Sequence, residues 1–260
     1  MKSGPFIWVC IVFAVVVLSF LALPLVNIAT APSPGIIWES LHDGEIMNAV
    51  LLSLYTSGMA AVICLILGTP FAYLLARKDF PGKNLVESIV DIPIVIPHPV
   101  VGIAILAVSG RNHWFGKILA DLGVRIMGSP AGIITVLVFV SIPFFINAAK
   151  EGFSSVPERL EKVSMTLGAS KLSTFKRVTL PLAGRSMVAG TIMSAARALS
   201  EFGAVIVIAY HPMIAPVLMF ERYQAYGLEY SQPVAFILIA MSLMIFIALR
   251  VLTSRKRRTV

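Results

Sequence analysis

The chain has 260 residues, of which 58% are hydrophobic and 13% charged, and its formal net charge is +8. A soluble domain carries about a quarter of its residues as charges, so this composition excludes one. The positive balance invites a nucleic-acid reading, but the basic residues gather beside long apolar runs, which excludes nucleic acid as the partner and points to a membrane.

Five runs carry no charge at all: Ser3–Trp38, Ile46–Ala76, Ile92–Gly110, Ile126–Ala149 and Tyr230–Leu249. A sixth, Ser186–Tyr210, is interrupted only by Arg197 and Glu201. A helical span needs about 20 largely apolar residues. Backbone in lipid must satisfy its own hydrogen bonds within the segment, so runs of this length are helices. The expectation is an all-α polytopic membrane protein, with six transmembrane helices forming one domain over residues 1–260. The first run has a rival reading, because Met1–Lys2, an apolar stretch and then Ala29–Thr30–Ala31 mimic a cleavable signal peptide. Phe6–Ile28 is 23 residues long, beyond the usual signal core, and favours a retained helix.

The second run ends at Arg77, and the third opens on Asp91–Val101, DIPIVIPHPVV. Pro93, Pro97 and Pro99 each remove a helix donor, so this span is expected to kink or break. Such backbone is tolerated at membrane depth only where protein or a cavity covers it. The segment is either a packing kink or a gate lining a pathway, with Pro97, His98 and Pro99 as the candidates.

Between the fourth and fifth helices, residues 157–181 read PERLEKVSMTLGASKLSTFKRVTLP, with seven charges in 25 positions. Pro157 suits a helix start, and Glu158 and Glu161 lie near the positive end of the dipole. Leu160, Val163 and Leu167 recur at helical spacing. Gly168 permits a turn or a close approach, and Leu172, Phe175 and Val178 make a second stripe before Leu180–Pro181. Two short surface helices with a bend are expected. They form either an amphipathic elbow on membrane lipid, aided by Lys171, Lys176 and Arg177, or a docking helix for a partner chain.

In the next span, AARALSEFGA sets Arg197 and Glu201 four residues apart on one helix face. Charges inside a membrane pair and face the bundle interior. The pair either fixes packing, with small Ser194, Ala198 and Gly203 allowing close contact, or places Arg197 where an anion passes.

With the N-terminus inside, sixteen Lys and Arg fall on the cytoplasmic side (Lys2, Arg77–Lys83, Lys150–Arg185, Arg250–Arg258) and four outside (Arg111, Lys117, Arg125, Arg222). By the positive-inside rule this predicts a multi-pass cell-membrane protein with both termini, and the loop 150–185, in the cytoplasm. Cys10 and Cys64 have no metal-ligand spacing and sit within spans, against a disulfide. The motifs GxxxxGK[ST], HExxH and GxSxG are absent, and His42, His98, His113 and His211 are scattered. Any ATP-driven step therefore needs hydrolysis from another chain.

Gly168, then nine residues, Val178, one residue and Leu180–Pro181 resemble the EAA loop of ATP-binding-cassette importer permeases. The Glu-Ala-Ala positions hold Lys162, Val163 and Ser164, with Glu161 one place early, which bears on any contact ascribed to that glutamate. The resemblance implies a type I importer permease fold, with Leu160, Glu161, Val163, Leu167, Gly168, Ala169, Leu180 and Pro181 forming the coupling segment. It also implies a homodimer, two cytoplasmic ATP-binding-cassette ATPase subunits, an external solute-binding protein, alternating access, and ATP used by the partner with no cofactor on this chain. AARALSEFGA, continuing through VIVIAYHPMIAPVLMFERY, is similar to the molybdate/tungstate permeases of the sulfate-related branch. A sulfate-specific permease, an ion-gradient-driven secondary transporter using Arg197, Glu201 and Asp91, and an integral-membrane enzyme are the alternatives. The last is opposed by the lack of a polar catalytic cluster.

Overall fold

The structure, a computed structural model, describes residues 5–110 and 113–254. Lys2, Arg111, Arg255, Lys256, Arg257 and Arg258, which contribute to the expected orientation, lie outside them. The described residues form helices and connecting turns, without a strand.

Helix α1, Pro5–Thr30, carries no charge, and its apolar side chains are exposed along its length, as a lipid-facing span requires. Ser33 caps α2 (Pro34–His42), its Oγ accepting from Ile36 N–H at 3.4 Å. Asp43 caps α3 (Gly44–Arg77) by accepting from Glu45 N–H at 2.8 Å. At 34 residues α3 runs about 51 Å at 1.5 Å per residue, so it outlasts a hydrocarbon core of roughly 30 Å and carries Arg77 beyond it. Gly82, with φ 85°, turns the chain into α4 (Lys83–Val95).

The third predicted span is broken. α4 and α5 (His98–Ser109) meet at 112° across Ile96–Pro97, where the prolines withhold the donors that a continuous helix would need. A short α6 (Trp114–Asp121) leads to α7 (Pro130–Ser155), which Ser129 caps by accepting from Gly132 N–H at 3.1 Å. The elbow follows as α8 (Glu158–Thr166) and α9 (Lys171–Thr174). A π turn over Phe175–Thr179 then runs on into α10 (Leu180–Leu199). Pro181 explains that turn. Its ring clashes with the carbonyl four residues back, and Leu180 N–H bonds to Phe175 O, five residues back.

The chain closes with α11 (Val205–Ile208), α12 (Ala215–Tyr226) and α13 (Leu228–Ser254). Among the described residues four helices, α1, α3, α7 and α13, are both long and apolar enough to cross a membrane, and α4 and α5 make a fifth when the bent pair is counted as one span. The sixth is α10, whose 20 residues suffice in length although Arg185 and Arg197 make it less apolar. It ends at Leu199, short of the predicted Tyr210, because the chain turns at Ser200–Glu201.

Helices α3, α7 and α10 form the centre. Lipid tails give apolar helices no reason to associate, so small residues and hydrogen bonds hold such a bundle. A Cβ on Gly68 would meet Phe145 Cδ1 at 2.5 Å, and one on Gly190 would meet Ala148 Cβ at 3.0 Å. Buried Ser194 donates to Ser141 O at 3.1 Å, joining α10 to α7. Around these contacts Leu75, Phe145, Ala149 and Phe153 make one buried cluster, and Val136, Leu137, Val140, Ala198 and Val205 another.

Candidate functional site

Two groups of side chains stand out, one at the elbow and one beside the broken span. At the elbow, Pro157 precedes α8 and Glu158 and Glu161 occupy its first turn, where the helix dipole favours carboxylates. Helix α8 closes with Gly168 N–H on Met165 O at 3.0 Å and Ala169 N–H on Ser164 O at 3.2 Å. Gly168 has φ 91°, a left-handed backbone that a side chain disfavours. Ser170 caps α9 by accepting from Ser173 N–H at 3.2 Å. Leu160, Val163, Leu167 and Leu172 are left exposed, Leu167 by 83%. Gly168 is exposed, Ala169 is half-buried, Leu180 packs into the α3–α7 core, and Pro181 faces outward in the first turn of α10.

Glu161 turns away from this apolar face and is buried. Its Oε1 accepts from Arg77 Nη2 at 2.8 Å, Arg77 Nε at 3.0 Å and Thr179 Oγ1 at 2.8 Å, while Tyr73 Oη donates to Oε2 at 3.1 Å. The same Arg77 Nη2 donates to Val156 O at 2.9 Å. Burial pushes the Glu161 carboxyl upward. Hydrogen bonds from Arg77, Thr179 and Tyr73, with the Arg77 charge, outweigh it and hold the group below its ordinary value. A depressed folded value means that the stabilisation is present at neutral pH and is lost only as the pH falls through that value. A cavity of about 610 Å³ lies between α3 and the elbow, lined by Tyr73, Leu74, Arg77, Lys162 and Leu172 among others.

The second group joins residues far apart in sequence. Arg197, in the last turn of α10, donates from Nη2 to Glu201 Oε2 at 2.6 Å. His98, the first residue of α5, places Nδ1 3.0 Å from the same Glu201 oxygen, and Arg197 Nη2 lies 2.8 Å from that ring nitrogen. The other Glu201 oxygen accepts from Ala204 N–H at 2.8 Å, holding the turn that ends α10. Glu201 is 1% exposed, whereas the side chains of Arg197 and His98 are 19% and 39% exposed. A Cβ on Gly203 would meet His98 Cβ at 3.0 Å and Pro99 Cδ at 3.3 Å, so glycine lets the α10–α11 turn press on the broken span. Pro97 and Pro99 are exposed at the break.

Asp91 does not enter this cluster's bonding; Asn147 Nδ2 donates to it at 2.8 Å. Among the described residues, no group of three or more His, Cys, Asp and Glu is placed to hold a metal ion. A buried carboxylate between a guanidinium and an imidazole leaves little net charge. Such a site can touch an anion in passing but is poorly made to hold a dianion.

Sequence reasoning reached Arg197 and Glu201 through their spacing, and His98 through its prolines. Arg77, Tyr73 and Thr179 escaped it, because Arg77 and Tyr73 lie 84 and 88 positions from Glu161 and no local pattern pairs them.

The family model for "Binding-protein-dependent transport system inner membrane component" matches residues 68–259. The molybdate/tungstate transport system permease protein of Thermococcus kodakarensis is 42% identical over 92% of each chain. That of Methanocaldococcus jannaschii is 39% identical over 92% of this chain and 93% of its own. A sulfate transport system permease protein of Synechocystis is 28% identical over 98% of this chain and 91% of its own. Among solved structures, a chain of a bacterial alginate ABC transporter superposes with a TM-score of 0.79 at 13% identity, covering 98% of this chain and 96% of that one. A chain of the MetNI methionine ABC transporter, in an inward-facing conformation, gives 0.66 at 17% identity over 87% of this chain and 100% of that one. These two likenesses concern the fold.

Proposed function

This chain belongs to the binding-protein-dependent transport system inner membrane component family, and on that premise we propose that it is the translocation subunit of an ATP-driven importer for tetrahedral oxyanions, molybdate or tungstate foremost. Two copies form the pathway, two ATP-binding-cassette subunits engage the paired elbows from the cytoplasm, and an external solute-binding protein delivers the anion. The observation that carries the reading is the elbow: an exposed apolar face at a glycine turn, set on the bundle end by a buried carboxylate. A lipid-surface helix has no use for so rigid a mounting. The named relatives support the choice of anion.

Mechanically, closure of the ATPase pair draws the two elbows together and alternates the pathway between its two faces. Arg197 and His98, the more exposed members of their cluster, line the route, and Glu201 behind them weakens their attraction for a dianion so that it is released. Selectivity then resides mainly in the binding protein. The termini and the elbow are cytoplasmic. In a chain without Cys10, the substitution Gln224→Cys is expected to react with an impermeant thiol reagent in intact cells, and Ser173→Cys only after lysis. Reaction of Ser173→Cys from outside would invert the topology and remove the docking surface from the ATPase.

The decisive test is reconstitution with the ATPase and binding protein. Hydrolysis should run faster with molybdate- or tungstate-loaded binding protein than with sulfate, and proteoliposome uptake should follow the same order. Equal or better sulfate transport would make this a sulfate permease. Uptake driven by a proton or sodium gradient without ATP would overturn the importer reading.

A further inference from the structure

The Arg77–Glu161 pair is more heavily bonded than mounting one short helix requires. Its contacts reach four elements at once. Arg77 is the last residue of α3, and Val156, whose carbonyl it binds, caps the end of α7. Glu161 belongs to α8, and Thr179 is the last residue of the π turn that leads into α10. Helices α3, α7 and α10 are the central bundle: the Glu161 carboxylate binds α3 and the π turn before α10 directly, and reaches the end of α7 through Arg77. Aromatic packing supports the same junction, with the Tyr73 ring 5.0 Å from Phe175 and 5.5 Å from Phe153.

We propose that Glu161 is a positioning residue, the strut through which displacement of the elbow moves the ends of α3, α7 and α10 as one body. It would not be a contact to the ATPase. The geometry separates the two roles. The partner would meet the exposed Leu160, Val163, Leu167 and Leu172, while Glu161 and Arg77, with side chains only 11% and 8% exposed, line the cavity between α3 and the elbow and spend their polar atoms on each other, Tyr73, Val156 and Thr179. Buried ions of opposite charge with satisfied donors are stiff, because displacing either strands a charge away from water. The π turn puts Thr179 within reach of Glu161, and such turns gather at functional positions.

The inference rests on the ATP-driven importer reading, and the two can fail separately. The permease–ATPase complex is reconstituted with its binding protein, and uptake per ATP hydrolysed is measured for wild type, Glu161→Gln and Arg77→Lys. Glutamine retains the size and an acceptor for Thr179 but removes the ion pair. The expected result is unchanged copurification of the ATPase and unchanged basal hydrolysis, with uptake per ATP falling by about tenfold, in the range of ordinary site-to-site couplings. In a chain without Cys10, the pair Arg77→Cys with Glu161→Cys, bridged by a short bifunctional thiol crosslinker, should recover uptake that the unbridged pair lacks.

Wild-type uptake per ATP in Glu161→Gln would overturn the strut. So would loss of the ATPase from that variant while the permease stays folded, since it would make Glu161 a docking contact. If Glu161→Gln does not fold, full coupling in Arg77→Lys or in the unbridged cysteine pair assigns the cluster to stability alone and overturns the proposal equally. Absence of ATP-dependent uptake in wild type would instead remove the importer reading on which it rests.

Discussion

Glu201→Ala is expected to remove folded permease from the membrane, whereas Glu201→Gln is expected to leave it folded but slow. Glu201 is buried, and its two oxygens serve different partners: one takes Arg197 and His98, the other holds Ala204 N–H at the end of α10. Alanine deletes both functions, leaving the Arg197 guanidinium without its carboxylate and a buried backbone donor without an acceptor. Breaking a buried ion pair by removing one partner costs about 3–5 kcal/mol, a large share of the roughly 5–15 kcal/mol that keeps a domain folded. Glutamine keeps the acceptor for Ala204, so the turn that ends α10 is held, but it turns an amide NH2 toward Arg197 in place of the carboxylate oxygen, and the site turns net positive. An anion should then dwell longer, lowering the uptake rate while binding-protein-stimulated hydrolysis persists. Neutralising both charges as Arg197→Gln with Glu201→Gln should restore the rate in part if the charge balance governs release. The readouts are detergent-solubilised yield, monodispersity and proteoliposome uptake. Glu201→Ala at wild-type yield would show that the cluster contributes little to the fold. Glu201→Gln at wild-type rate would place the anion's route elsewhere.

Gly168→Trp is expected to yield a folded permease that no longer copurifies with its ATPase, or that hydrolyses ATP without uptake. A Cβ at Gly168 meets nothing within 4 Å, so the chain itself has room for a side chain. The conformation does not, since φ 91° costs an L-residue about 1–2 kcal/mol. Gly168→Ala carries the same backbone strain without the bulk, which makes it the control. Loss of association with Trp and retention with Ala would mean that a partner approaches this turn closely. Equal loss in both would assign the effect to the left-handed backbone. Normal association and uptake in Gly168→Trp would favour an elbow resting on lipid.

The sequence by itself was enough for features written in local chemistry. Uncharged runs longer than a bilayer demand helices, because no other segment-local structure satisfies the backbone in lipid. Pro97 and Pro99 announced the break before α5, since a ring that removes a donor does so in any context. Leu160, Val163 and Leu167 at helical spacing before Gly168 described the elbow, and the four-residue step from Arg197 to Glu201 described their pairing.

The tertiary structure decided what those elements do to one another. It set the break at 112° and ended α10 at Leu199, where the sequence showed only an apolar run continuing to Tyr210. The run stays apolar beyond Glu201 because that later part is buried in α11 and the turns around it, and burial needs apolar side chains whether or not the backbone is a long helix. The structure also brought His98 to Glu201 across 103 positions, and Arg77 to Glu161 across 84. Charge signs alone allow many such pairings among 21 basic and 13 acidic residues. Only the packing of α3, α7 and α10 selects among them, because a buried ion pair depends on which side chains the fold closes away from water together.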